Sequence, residues 1–178
     1  EIDYLLKKCV DSLKGYDELV IIVNEGIGFS KAVNMGLKLA KGDYLVIVTN
    51  DVYMESGNLR DLAVPDKITS PIRGYKEGPA IGLDFLPSFF CIPRKIYEKV
   101  GGFDENFNLG DYEDHDFYEK CRRKNIIFEH NPYIRIYGKQ GYTKSKMDGY
   151  SKRSKINRQK FIDKWRKEPE DLSEIYYQ

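Results

Sequence analysis

Between Phe103 and Glu119 the chain carries seven carboxylates and no Lys or Arg: Asp104, Glu105, Asp111, Glu113, Asp114, Asp116 and Glu119. Like charges this crowded repel unless a cation, a substrate hydroxyl or a helix N-terminus takes them up. The run follows the pair Gly101-Gly102, which favours a turn, so it sets acids where acid/base chemistry can operate. Glu113 and Asp114 are adjacent at an expected helix start, about 100° apart around the helix axis. One can reach into a cleft while the other supports it. The competing reading is a capping box, with Asp111 as N-cap and Asp114 at the third helical position.

Two further elements bear on chemistry. Asn50-Asp51 ends an expected strand, where one carboxylate can hold the edge of a Mg²⁺ or Mn²⁺ ion whose other ligands are diphosphate oxygens and water. Its plain alternative is a turn-forming pair. Asn24-Glu25-Gly26-Ile27-Gly28 offers backbone amides and a helix start to an anion. It is neither a P-loop nor a G-x-G-x-x-G motif, and a tight strand-to-helix turn is its rival. His115 and His130 have no partner at metal-ligand spacing and read as structural residues.

The elements that must position these groups follow from apolar periodicity. Helices are expected over 2–14, from Gly28 to Ala40, at Arg94–Val100, over 112–124 and over 152–167. Continuous aliphatic runs at 19–23 and Tyr44–Val48 read as strands buried on both faces and parallel to each other. Shorter strands are expected at 68–72, 89–92, 126–129 and 134–137, with a basic loop over 138–151.

With 178 residues, 41% of them apolar, the chain is long enough for one domain with its own core. No apolar run approaches the ~20 residues of a membrane helix. Three distant cysteines (Cys9, Cys91, Cys121) form neither a zinc pattern nor a disulfide framework, which favours a reducing, cytoplasmic setting. Net charge is +1, but residues 139–167 hold eleven Lys/Arg against two acids. That segment suits phosphates or peripheral contact with an anionic membrane surface; its plain reading is a solvated helix face. Its aromatics are too few to make nucleic acid an expected partner.

The stretch from Val23 to Gly36, then Ala40-Lys41-Gly42-Asp43-Tyr44 and Asn50-Asp51-Val52, resembles the nucleotide-sugar half of GT-A glycosyltransferases of family 2. GGFDENF at 101–107 and YEDHDF at 112–117 resemble that family's acceptor half, and 157–165 its C-terminal helix. The resemblance implies an α/β fold with a mixed, mostly parallel sheet flanked by helices, without the family's usual first strand. It implies one domain: a nucleotide-sugar half at 1–55, an acceptor half at 56–137, and a basic loop and helix at 138–178. It implies an inverting transferase that moves a sugar from a nucleotide-sugar donor to an acceptor hydroxyl with help from Mn²⁺ or Mg²⁺. Asp114 matches the general base and Glu113 the residue that orients the acceptor. Asn24, Gly28, Lys31, Asn34, Asn50 and Asp51 fall on the donor side, with Asp51 on the metal. Lys139, Lys144 and Lys146 suit closure over the diphosphate. The Asp-Gly-Ser-type turn is missing, the D-x-D position reads Thr49-Asn50-Asp51, and Tyr137-Gly138 stand where a metal-binding His is common. The alternative is a relative that binds glycan or nucleotide without turnover.

Overall fold

The strand Phe89–Pro93 is buried along its whole length. A strand apolar on both faces must lie inside a sheet with a core on each side. Here Phe90 and Ile92 join one core with Leu37, Leu45, Ile68, Ile96, Phe103 and Phe117, while Phe89 and Cys91 join a second with Val52, Met54, Leu62, Ile134 and Ile136. The computed structural model describes residues 2–73, 85–107, 111–138 and 149–169. In chain order the elements are α1 (Ile2–Ser12), α2 (Phe29–Leu39), β1 (Tyr44–Val48), β2 (Val52–Ser56), a 3₁₀ turn (Leu59–Leu62), β3 (Lys67–Arg73), β4 (Phe89–Pro93), α3 (Arg94–Val100), α4 (Glu113–Arg122), β5 (Ile127–Gly138) and α5 (Tyr150–Trp165).

The five strands form one sheet in the order β1-β4-β3-β5-β2. It is mixed: β3 and β5 pair in parallel, and β1–β4, β3–β4 and β2–β5 are antiparallel. The architecture is α/β, with helices flanking the sheet. The strand expected at 19–23, parallel to β1, is not formed; the segment makes no ladder. Val20 and Ile22 are half-buried, and a Cβ on Gly36 of α2 would lie 3.6 Å from Ile22. Leu19, Ile21 and Val23 alternate with them and are exposed, Val23 to 71%. The period of a strand is present, but a strand also needs a neighbour's backbone, and β1 ends the sheet with an open edge.

Two other expectations change. The strands expected at 126–129 and 134–137 are one, β5, with an irregularity that skips the register against β3 from Asn131 to Arg135. Pro132 cannot donate to a ladder, and the Tyr133 amide turns instead to Asn131 Oδ1 at 2.9 Å. The short strand β2 follows the Asn50-Asp51 turn directly and was not expected. Its edge is covered by α1, with Ser12 Oγ accepting from the Met54 amide at 2.9 Å. All three cysteines are free and buried. Burial pushes the Cys9 thiol up to about 11, and those of Cys91 and Cys121 to about 12, so none is a nucleophile at neutral pH.

Candidate active site

Strand directions decide which expected site residues meet. β1 runs toward the Asn50-Asp51 turn, and Val48 pairs with Phe89, the first residue of β4. β3 is antiparallel to β4 and therefore ends on the Asp51 side; β5 is parallel to β3 and ends there too, with Gly138 opposite Val52. α4 feeds the far end of β5 through 123–126, so its first turn, carrying Glu113 and Asp114, returns to the Asp51 end. The same reasoning brings the first turn of α2 there, because α2 feeds the far end of β1. Ring contacts join these layers: Phe29 to Phe103 at 5.4 Å, Phe103 stacked on Phe117 at 4.4 Å, and Phe117 to Phe85 at 5.9 Å. The donor-side and acceptor-side acids therefore share one end of the sheet.

On the donor side, Asp51 sits in a turn closed by the Val52 amide donating to the Thr49 carbonyl at 3.3 Å. The Thr49 hydroxyl donates to Asp51 Oδ1 at 2.6 Å, which fixes the carboxylate and leaves Oδ2 to a ligand. Asn50 beside it is exposed. Asn24 Oδ1 accepts from the amide of Gly28, the N-cap of α2, at 3.1 Å, so this side chain shapes the turn. Gly28 itself is buried with φ 91°, and Lys31 is exposed one turn on. Among the described residues no group of three His, Cys, Asp or Glu is placed to hold a metal. A single hard oxygen fits an ion carried in by a diphosphate, but not a resident ion caged by protein.

Asn34 corrects the sequence reading. It is 7% exposed, and its amide is committed: Oδ1 accepts from the Phe103 amide at 2.8 Å, while Nδ2 donates to the Phe103 carbonyl and to Glu105 Oε1, each at 2.9 Å. It ties α2 to the acidic turn, and these contacts commit its amide. The two glycines before that turn have different reasons. Gly101 ends α3 with φ 80°, and a side chain on Gly102 would meet Asn34 Oδ1 at 2.2 Å. Gly102→Ala is expected to cost about 1–3 kcal/mol through overpacking against Asn34. Urea unfolding measures it, and Gly102→Ala with Asn34→Ala should cost less than the two single changes added together.

The acidic stretch separates into buried ties and the Glu113-Asp114 pair at the start of α4. Asp111 and Tyr112 both have φ 69°, consecutive left-handed residues that are not glycine, each costing about 1–2 kcal/mol. The Asp111 carbonyl accepts from Asn157 Nδ2 of α5 at 3.1 Å, and Asn157 is buried. Tyr112, not Asp111, is the N-cap, and no side chain caps the helix. The capping box is therefore not realised: the strained turn starts α4 at Glu113, with Asp114 second. Glu113 is 9% exposed; Asp114 is more open, its side chain 18% exposed.

Asp116, Glu119 and Asp104, which the sequence placed aside from the pair, anchor α5. Asp116 Oδ1 accepts from Trp165 Nε1 at 2.8 Å and pairs with Lys164 at 2.7 Å; Lys164 also holds Asp104 at 2.7 Å. Burial raises the Asp116 carboxyl above its ordinary range, against the lowering pull of Lys164 and Trp165. Burial acts the same way on Glu119, but Arg122, Arg123 and Lys167 outweigh it and hold the group at about 2. Two cations of the basic C-terminal segment, Lys164 and Lys167, thus serve as counter-charge to the acidic cluster. Lys139, Lys144 and Lys146 lie outside the described residues. No helix among the described residues is long and apolar enough to cross a membrane.

Residues 3–65 match the family described as Glycosyl transferase family 2. A search of curated proteins finds no match. Among solved structures, a mannosyltransferase from Pyrobaculum calidifontis in complex with GDP-Man and Mn²⁺ matches at 18% identity and TM-score 0.51, over 83% of this chain and 47% of that one. The catalytic domain of Drosophila beta1,4-galactosyltransferase 7 in complex with xylobiose matches more weakly, at 12% identity and TM-score 0.49, over 71% of this chain and 59% of that one. This chain therefore spans only about half the length of the solved structures it matches. The likeness to the mannosyltransferase shows a shared fold, of the GT-A kind.

Proposed function

We propose that this chain, family 2-like over its first third and GT-A in fold, transfers a sugar from a nucleotide-sugar donor to an acceptor hydroxyl with inversion. The observation that carries the reading is the convergence of the Asp51 turn and the Glu113-Asp114 pair on one end of the sheet, where open α/β sheets take their ligands. Asn24, Gly28, Lys31, Asn50 and Asp51 form the donor side of residues 1–55. The Gly28 turn and α2 start offer amides to phosphate, and Lys31 offers charge. The Asp51 carboxylate meets a Mn²⁺ or Mg²⁺ ion carried by the diphosphate; when bound, the ion neutralises charge on the leaving group.

On the acceptor side, Asp114 takes the hydroxyl proton while the acceptor oxygen bonds to the anomeric carbon and the sugar–diphosphate bond breaks. The buried Glu113 orients the acceptor. Lys139, Lys144 and Lys146 are the charges proposed to offset the diphosphate. Three buried free thiols suit a reducing cytoplasm. Turnover of a panel of nucleotide sugars with Mn²⁺ and an oligosaccharide acceptor tests the reading, with release of nucleoside diphosphate and a glycosylated product expected. The single carboxylate of Thr49-Asn50-Asp51 favours one rival, binding without turnover; heat with oligosaccharide but with no nucleoside diphosphate would select it.

A further inference from the structure

We propose that His115 is a positioning residue that holds the proton-accepting carboxylate of Asp114 in register with the acceptor. His115 Nδ1 lies 2.9 Å from Asp114 Oδ1, and the His115 backbone amide donates to the same oxygen at 2.9 Å. The contact is sheltered, with side-chain exposures of 17% and 18%. The same oxygen already accepts from the His115 amide, so it meets Nδ1 as an acceptor, and the ring carries a proton on Nδ1. Two donors on Oδ1 fix the plane of the carboxylate.

The ring is itself held. It lies 5.1 Å from the Tyr112 ring, on the strained turn, and 6.2 Å edge-on from Phe161 of α5. Nε2 has no hydrogen bond among the described residues. Through this contact α5, which also secures Asp111 and Asp116, sets the direction of the Asp114 side chain. The proposal rests on the glycosyl-transfer reading. The acceptor O–H proton moves to the Asp114 carboxylate, the acceptor oxygen forms its bond to the anomeric carbon, and the diphosphate leaves with the electron pair. His115 exchanges no proton in that step; its N–H keeps Oδ1 occupied.

Two substitutions separate this role from packing and from proton transfer. His115→Phe keeps a ring and loses the N–H; His115→Asn loses the ring and keeps an N–H close to the Nδ1 position. Positioning predicts that His115→Phe lowers kcat about 10- to 100-fold with little change in acceptor KM, and that His115→Asn recovers to within about fivefold of wild type. Equal losses in both variants would overturn it, pointing to Nε2 as the proton acceptor. Wild-type rates in His115→Phe would overturn it as well. A readout independent of turnover is ring-nitrogen NMR of histidine-labelled protein, which has only two histidines. The signal lost in His115→Phe should report a ring that carries a proton on Nδ1; a ring protonated on Nε2 alone would overturn the contact. A folded wild type that shows this tautomer but turns over no donor removes the reaction the residue serves, and so fails at the functional reading instead of at the contact.

Discussion

Asp114→Asn is expected to lower kcat by about 10²- to 10⁴-fold, the range that a positioned general base contributes. The substitution keeps the shape of the side chain and an oxygen that can accept from His115 Nδ1 and the His115 amide, so the fold around it should persist. It removes the ability to take a proton. Binding of nucleotide sugar, measured by calorimetry, should stay within about threefold of wild type, because Asp114 lies on the α4 side of the cleft and not in the Asp51 turn. Thermal unfolding should be near wild type. A kcat within a few-fold of wild type would withdraw the base assignment; a large loss of donor affinity would place Asp114 on the wrong substrate. Glu113 is more buried than Asp114, so Glu113→Gln tests support in place of proton transfer. It should raise acceptor KM more than it lowers kcat.

The sequence carried the elements well where packing is local. The helix expected at Arg94–Val100 is the one observed, and the runs at Tyr44–Val48, 68–72 and 89–92 are strands within a residue or so. It failed where the deciding partner is distant. Residues 19–23 have the composition and the alternation of a strand, but pairing belongs to a neighbour's backbone and leaves no mark in the segment itself. Asn34 lies among residues that resemble a donor site, yet its partners are Phe103 and Glu105, about seventy positions away. One available signal went unused. Asn34 falls on the inner face of α2 with Phe29, Val33 and Leu37, where a buried amide must find polar partners.

The site shows the same division. Adjacency made Glu113-Asp114 legible as a pair, and chain order placed Asn50-Asp51 at a strand end. Metal-ligand spacing alone leaves His115 a structural residue. A histidine next to an acid can also address that acid directly, which needs only the ring orientation that Tyr112 and Phe161 provide. The charge asymmetry was visible but not joined up. Seven acids in one stretch and a +9 segment beyond them meet along one seam, where Lys164 and Lys167 face Asp104, Asp116 and Glu119.

That seam carries the largest stability effect expected of any single side chain here. Lys164→Met keeps most of the stem and removes the ammonium from between Asp104 and Asp116. Asp116 is fully buried, its Oδ2 already has no partner among the described residues, and Oδ1 would keep only Trp165 Nε1. Removing Lys164 strands the buried Asp116 charge, but the ammonium is itself 35% exposed and partly screened, so the cost is expected below the range of a fully buried pair, at about 2–3 kcal/mol near pH 7. The pH dependence follows from the direction of the Asp116 shift. Its folded value is already raised by burial, so the folded state binds this proton more tightly than the unfolded chain, and stability falls as pH rises through the folded value. Without Lys164 that value rises further. The deficit of Lys164→Met relative to wild type should therefore be largest at neutral pH and shrink as pH falls and Asp116 takes up a proton. Chemical unfolding at a series of pH values reads this directly. Adding Asp116→Asn should restore part of the loss at pH 7 and flatten the dependence. A deficit that is constant with pH, or that grows in acid, would mean the stranded charge is not on Asp116. Because Trp165 and Asn157 on the same helix hold Asp116 and the strained Asp111 turn, Lys164→Met should also lower kcat in protein that remains folded, even though Lys164 touches neither member of the acid pair.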